Sequence, residues 1–155
     1  MSLSSLLGAL AKPGLVFTRC GENVDTDITE HIYEVSLAAQ EAWRNAGAPG
    51  GGGPSAADIR AALRRVDTDT AILRMADLAT TDLVWGDTLR DPKVAEDTAR
   101  QVVGLLGNDS VWWSNEADVS STSRSWTPVT HCTFDGLIAG VGATHFVVVL
   151  QAGED

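Results

Sequence analysis

The residue types best suited to chemistry gather near the end of the chain: His131-Cys132, Asp135 and His145, with Cys20 far upstream. Histidine and cysteine supply nitrogen and thiolate ligands for zinc, or, within hydrogen-bond reach of each other, a base and a nucleophile. Both readings depend on geometry. The runs "WTPVTHCTFDGLIAG" and "THFVVVLQ" flank "AGVGA" and read as a β-hairpin. With the turn centred on Gly140 to Gly142, His145 falls opposite Leu137 or Ile138. At roughly 3.3 Å per residue the two histidines then stand about 20 Å apart, whereas zinc holds its nitrogens about 2 Å from one centre. One ion cannot take both. Adjacent strand residues point to opposite faces, which separates His131 from Cys132. The expectation is half-buried sheet histidines and small buried thiols, with no metal and no cofactor. The catalytic alternative is a pocket on the C-terminal sheet lined by His131, Asp135 and His145.

The doubled "VDTD", at Val24–Asp27 and Val66–Asp69, offers paired carboxylates of the kind that bind Mg²⁺ or move protons. Helix capping accounts for the first copy and turn chemistry for the second. "APGGGGP", residues 48–54, has neither the preceding strand nor the lysine of a phosphate-cradling loop, and reads as a flexible connection.

Three of the five tryptophans cluster in "SVWWSNEADVSSTSRSWTP", residues 110–128. A strand ending in Trp112-Trp113 sends its two indoles to opposite faces, so one belongs to the core and the other covers an edge, a loop or a partner. Rigid aromatics beside adaptable polar groups compose a binding surface. On that reading the candidate binding residues are Trp112, Trp113, Asn115, Glu116, Asp118, Arg124 and Trp126. The competing reading is a long loop anchored to the sheet by its aromatics.

The elements that must position these residues follow from periodicity and caps. Leu3, Leu6, Leu7 and Leu10 predict a first helix that Pro13-Gly14 stops, and "LVFTRC" a strand. Asp27 with Glu30 forms a capping box for a helix carrying Ile28, Ile32, Val35, Ala39 and Trp43. Ser55 with Asp58 caps a helix striped by Ile59, Ala62, Leu63 and Val66; over 71–85, Ile72, Ala76, Ala79 and Leu83 fit a helix, while "AILRM", 71–75, alone reads as a buried strand, the reading preferred for those five residues. Asp91-Pro92 opens a helix lined by Ala95, Ala99, Val102, Val103 and Leu106, which Gly107 closes. Helices early and strands late predict one α+β domain over residues 1–155, with helices on one face of a largely antiparallel sheet and a C-terminal hairpin.

Composition bounds the function. Twenty-one acids against eleven bases leave a net charge of −10, which repels phosphate backbones and anionic membranes. No run of apolar residues is long enough to cross a bilayer, and no positive segment precedes the short apolar run at the start. Two cysteines make no disulfide framework, so the expected setting is cytoplasmic. Nine of the eleven bases are arginine, the bias of a GC-rich genome. The expected function is docking on a protein partner; the acidity either keeps the chain soluble or suits a basic partner, as for a bacterial immunity-like or antitoxin-like inhibitor. A small enzyme or ligand binder built on the His/Asp pocket is the alternative.

Overall fold

The computed structural model describes residues 2–24, 27–116 and 126–154, among which lie five helices and five strands. Helix α1 (Leu3–Leu10) begins at Ser2, whose hydroxyl accepts from the Ser5 amide, and buries Leu6, Leu7 and Leu10. Strand β1 (Val16–Glu22) follows a turn in which Gly14 takes a φ of 76°. Helix α2 (Ile28–Asn45) is capped by Asp27, which accepts from the Thr29 amide with one oxygen and from Arg60 with the other. The reciprocal bond from Glu30 that a capping box requires is not formed. Helix α3 (Ala56–Ala62) does carry the full box between Ser55 and Asp58.

Two sequence expectations fail in the next stretch. Val66 lies not on α3 but in a short strand, β2 (Arg64–Val66), because the chain turns extended at Leu63 and pairs with the strand carrying the tryptophans. Residues 71–75 are helical, inside α4 (Thr68–Thr80). Asp67 caps that helix by accepting from the Thr70 amide, so the second "VDTD" is a strand-to-helix junction. Ala71, Ile72, Arg74, Met75 and Ala76 are all buried, which erases the one-sided period of a surface helix and imitates a core strand. Helix α5 (Pro92–Leu106) runs as expected from the Asp91 cap to Gly107.

The remaining strands are β3 (Val111–Ser114), β4 (Phe134–Val141) and β5 (His145–Gly153). All pairs are antiparallel, in the order β1-β5-β4-β3-β2, and β4–β5 is the C-terminal hairpin. The α+β class is as expected, but the helices cover both faces. Val147 and Val149 pack with α1, α4 and α5, whereas Phe146, Val148, Leu150 and Ala152 pack with α2 and α3. The physical sign is the unbroken apolar run of β5. A strand with one wet face alternates, and this one does not.

The paired tryptophans divide as the strand period requires. Trp112 is buried with the α4–α5 layer, and Trp113 is half-buried on the α2–α3 side with the Arg65 guanidinium 5.8 Å from its ring centroid. Trp112 lies opposite Gly140, where an added Cβ would come 2.5 Å from the indole. Gly140→Ala is therefore expected to cost about 1–3 kcal/mol by overpacking, and Trp112→Ala about 3–5 kcal/mol by cavity formation. Urea unfolding checks both, and a neutral Gly140→Ala would show that the ring does not rest on that backbone.

Candidate functional site

Asn115, Glu116, Trp126, His131, Cys132 and Asp135 lie at the open end of the hairpin, where most of them are consumed in holding the chain together, whereas Trp112, Trp113 and His145 lie toward its turn. Asp135 is buried, and its carboxylate accepts from four donors. These are the Asn115 amide group (2.8 Å), the Val129 and Thr130 backbone amides (3.1 and 3.0 Å) and the Thr130 hydroxyl (2.9 Å). Burial pushes the Asp135 carboxyl above its ordinary range, and the four donors pull against that rise. Asn115, also buried, donates to the Thr127 carbonyl and accepts from the Leu137 amide. Asn115 and Asp135 together tie the end of β3, the segment 127–130 and the start of β4 into one unit.

On the other face Glu116 meets Arg74 of α4 in a buried ion pair, and Arg74 also donates to Asp77 at 2.8 Å. Gly136 makes room for this: a Cβ there would lie 2.7 Å from Arg74 Nη2 and from Leu78 Cδ2. Gln151, fully buried on β5, donates to the Leu78 and Thr81 carbonyls and accepts from the Leu83 amide, satisfying the C-terminal end of α4. Trp126 bridges Glu116 and packs on Phe134 with ring centroids 5.9 Å apart. Of the binding residues expected from sequence, Trp112, Asn115 and Glu116 are thus buried, Trp113 and Trp126 half-buried, and Asp118 and Arg124 lie outside the described residues. The exposed tryptophan is Trp85, 68% accessible.

The histidines separate as the hairpin argument expects, though the register differs. The ladder pairs Val141 with Phe146, so the turn is at 142–144 and His145 stands beside it, its Nδ1 2.8 Å from the Thr144 hydroxyl. Leu137 and Ile138 face Leu150 and Val149 instead. His131 and Cys132 precede β4 on a bend, where the strand rule of alternating faces does not hold. Burial, with the Glu154 and Asp135 carboxylates adding, pushes the Cys132 thiol up to about 11. A cavity of about 120 Å³ lies between Leu83, Glu116, Trp126, Phe134 and Asp135, without either histidine. Ligand pockets run to several hundred Å³, so this one is too small to be the His/Asp pocket of the enzyme reading.

Two larger concavities flank β1, away from the binding and catalytic residues expected from sequence. One of about 450 Å³ is walled by Gly8, Ala11, Glu34 and Ala38 over Phe17–Arg19, and another of about 420 Å³ by Ser4, Leu7 and His31 over Thr18–Gly21. They share Thr18 and Arg19 and form a slot between α1 and α2 along the sheet edge. The Ala152 amide bonds the Leu15 carbonyl and the Asn23 amide bonds the Thr144 carbonyl, so odd positions of this ladder bond toward β5. Even positions turn outward. Val16 spends its outer groups on Lys12, leaving those of Thr18, Cys20 and Glu22 on an edge where, among the described residues, no strand pairs with them. In the slot, Arg19 pairs with Glu34 at 2.6 Å and His31 stacks on Phe146 with centroids 3.6 Å apart. No strand order can be read from a single sequence, so nothing marked β1 as an edge.

Compared with protein-family models, curated proteins and solved structures, the chain matches none of them.

Two predictions follow from the charged groups. Glu116→Gln is expected to cost about 3 kcal/mol of stability, since it leaves a buried guanidinium without its closest carboxylate; urea unfolding measures it, and a loss under about 1 kcal/mol would sink the assignment. Burial, then the nearby Arg19, hold His31 below its ordinary 6.5, against the opposing pull of Glu34 and Glu30. A neutral imidazole in the fold contributes stability above pH 6.5 that is lost as pH falls below that value. His31→Phe keeps the stack and is expected to flatten that part of the acid limb, read as melting temperature against pH. An unchanged slope would show that His31 does not contribute it.

Proposed function

We propose that the protein works by binding another protein, and that an extended segment of the partner adds to the outer edge of β1. The observation that carries this reading is the row of outward backbone groups at Thr18, Cys20 and Glu22, lying in the slot between α1 and α2. Unpaired strand edges are templates for another strand, and proteins that do not use them tend to cover, shorten or bulge them. This edge is seven residues long. Main-chain bonds supply affinity in such complexes and flanking pockets supply selectivity. Room beside the strand comes from the small residues Gly8, Ala11 and Ala38 on the facing helices.

The net charge of −10 favours a basic partner, because opposite fields steer encounter. An inhibitor of a basic protein, of the immunity or antitoxin kind, is the specific role this combination suits. The reading rests on the edge rather than on the tryptophan stretch, because Trp112, Asn115 and Glu116 are already committed to the interior. The enzyme alternative has no comparable support: the Asp135 carboxylate is saturated, and neither His131 nor His145 bonds to it among the described residues.

A photo-reactive residue at Arg19 or Glu22, expressed in the producing cell, is expected to capture one partner that the same residue at Leu105, on α5, does not. Thr18→Pro removes an outward amide and leaves the β5 ladder intact. In the reconstituted complex it is expected to weaken binding about tenfold, equivalent to about 1.4 kcal/mol. Equal capture from Leu105, or full affinity in Thr18→Pro, would refute the edge as the binding surface.

A further inference from the structure

The open end of the hairpin holds a second cluster, away from the β1 edge and independent of the reading above. The β4–β5 ladder pairs Phe134 with Gly153, so the next positions outward, Thr133 and Glu154, face one another. Thr133 donates its amide (3.2 Å) and its hydroxyl (2.5 Å) to the Glu154 carboxylate. The hairpin register thereby delivers a carboxylate to the bend that carries His131 and Cys132. One ligand atom from each of His131, Cys132 and Glu154 lies within 4.8 Å of the other two. The bend is held from behind: the His131 amide donates to Gln40 Oε1 of α2 at 3.0 Å, and the Cys132 amide to the Thr130 hydroxyl at 3.0 Å. His131 Nε2 is buried with no hydrogen-bond partner. A buried ring nitrogen left without a partner is costly unless something else satisfies it.

We propose that His131, Cys132 and Glu154 form a binding site for a divalent transition-metal ion of the zinc class. The donor set of one sulfur, one imidazole nitrogen and one carboxylate oxygen suits a borderline-soft ion. Mg²⁺ and Ca²⁺ favour all-oxygen shells. Bonds of about 2.0–2.3 Å in a tetrahedron set ligand atoms roughly 3.3–3.8 Å apart. Atoms within 4.8 Å of one another need close by no more than about 1–1.5 Å, a movement that side-chain rotation on a bend and at a strand end supplies. Three protein ligands leave a fourth position for water or another donor. On binding, Cys132 coordinates as thiolate and its proton leaves to solvent, while His131 coordinates as the neutral imidazole. The ion would join the segment before β4 to the end of β5, closing the hairpin at the end opposite its turn.

The test is titration of Zn²⁺ into the reduced, chelator-treated full chain by calorimetry, with Co²⁺ as the spectroscopic probe. The expected result is one ion per chain and, with Co²⁺, a thiolate-to-metal charge-transfer band. Cys132→Ser is expected to abolish that band and Cys20→Ser to leave it unchanged. His131→Gln and Glu154→Gln are each expected to weaken affinity by at least the 10–100-fold typical of losing an outer-shell partner. Circular dichroism establishes that each variant is folded. Should Cys132→Ser unfold, Glu154→Gln decides alone, since that residue lies beyond the last strand. Absence of stoichiometric Zn²⁺ binding, a Co²⁺ spectrum without the thiolate band, or full affinity in the folded Glu154→Gln chain would each overturn the site.

Discussion

The whole structure depends on β5 being dry on both faces. Its residues from Phe146 to Ala152 are buried, alternating between one helical layer and the other, so this one strand belongs to both cores. A small domain arranged this way leaves no face of its two central strands, β4 and β5, open for recognition. Contact with anything else must use the edges of the sheet, the ends of its strands or the outer sides of its helices. The two proposals made for this protein fall where that constraint sends them, one on the outer edge of β1 and one where β4 begins and β5 ends.

The hairpin end is also where the polar interior is concentrated, and the division of labour there is sharp. Asp135 and Asn115 serve the α2–α3 side and Arg74 and Glu116 the α4 side, with Gln151 closing the end of α4. Each buried polar atom that finds a partner converts a desolvation cost into a constraint on geometry. Residues that look chemical in sequence can therefore be structural in space. Asp135 is a carboxylate surrounded by donors, which makes it a clamp on three chain segments. His131, next to this clamp, is positioned by it through the bend 129–133, where the Val129 and Thr130 amides bond Asp135.

Much of the fold was legible because caps and periods are local signals. The Ser55–Asp58 box, the Asp91-Pro92 start and the Gly107 stop mark helix ends with little help from tertiary context. The start of α4 was taken for a strand, although Ile72, Ala76 and Ala79 keep helical spacing, because burial on nearly all sides makes the apolar run as strong a signal as the period. Strand β2 was missed because three residues carry no pattern at all. The second helical layer was foreshadowed by the unbroken "FVVVL" run, whose significance emerges once β5 is seen at the middle of the ladder order. The sites were less legible than the fold. An edge is a property of strand order, and the approach of Glu154 to Cys132 is a property of hairpin register, set by a turn at 142–144 rather than at 140–142. The adjacency of His131 and Cys132 was plain, but the rule that separated them applies to strands, and they lie on a bend.

The pairing of β1 with β5 joins residues 16–22 to residues 145–151, nearly the full span of the chain. The strand that both layers need is therefore synthesised after every other described element. Until it arrives, β1 lacks its ladder partner and α2 the strand it packs on most closely. Loop closure of that length precedes the contacts that reward it, which makes folding slow compared with a helical bundle of equal size. Hydrophobic surface stays exposed while the residues between β1 and β5 are made, which at about 5–20 residues per second takes on the order of ten seconds. The architecture that buries β5 so thoroughly thus ties the burial of the first strand to a segment made more than a hundred residues later.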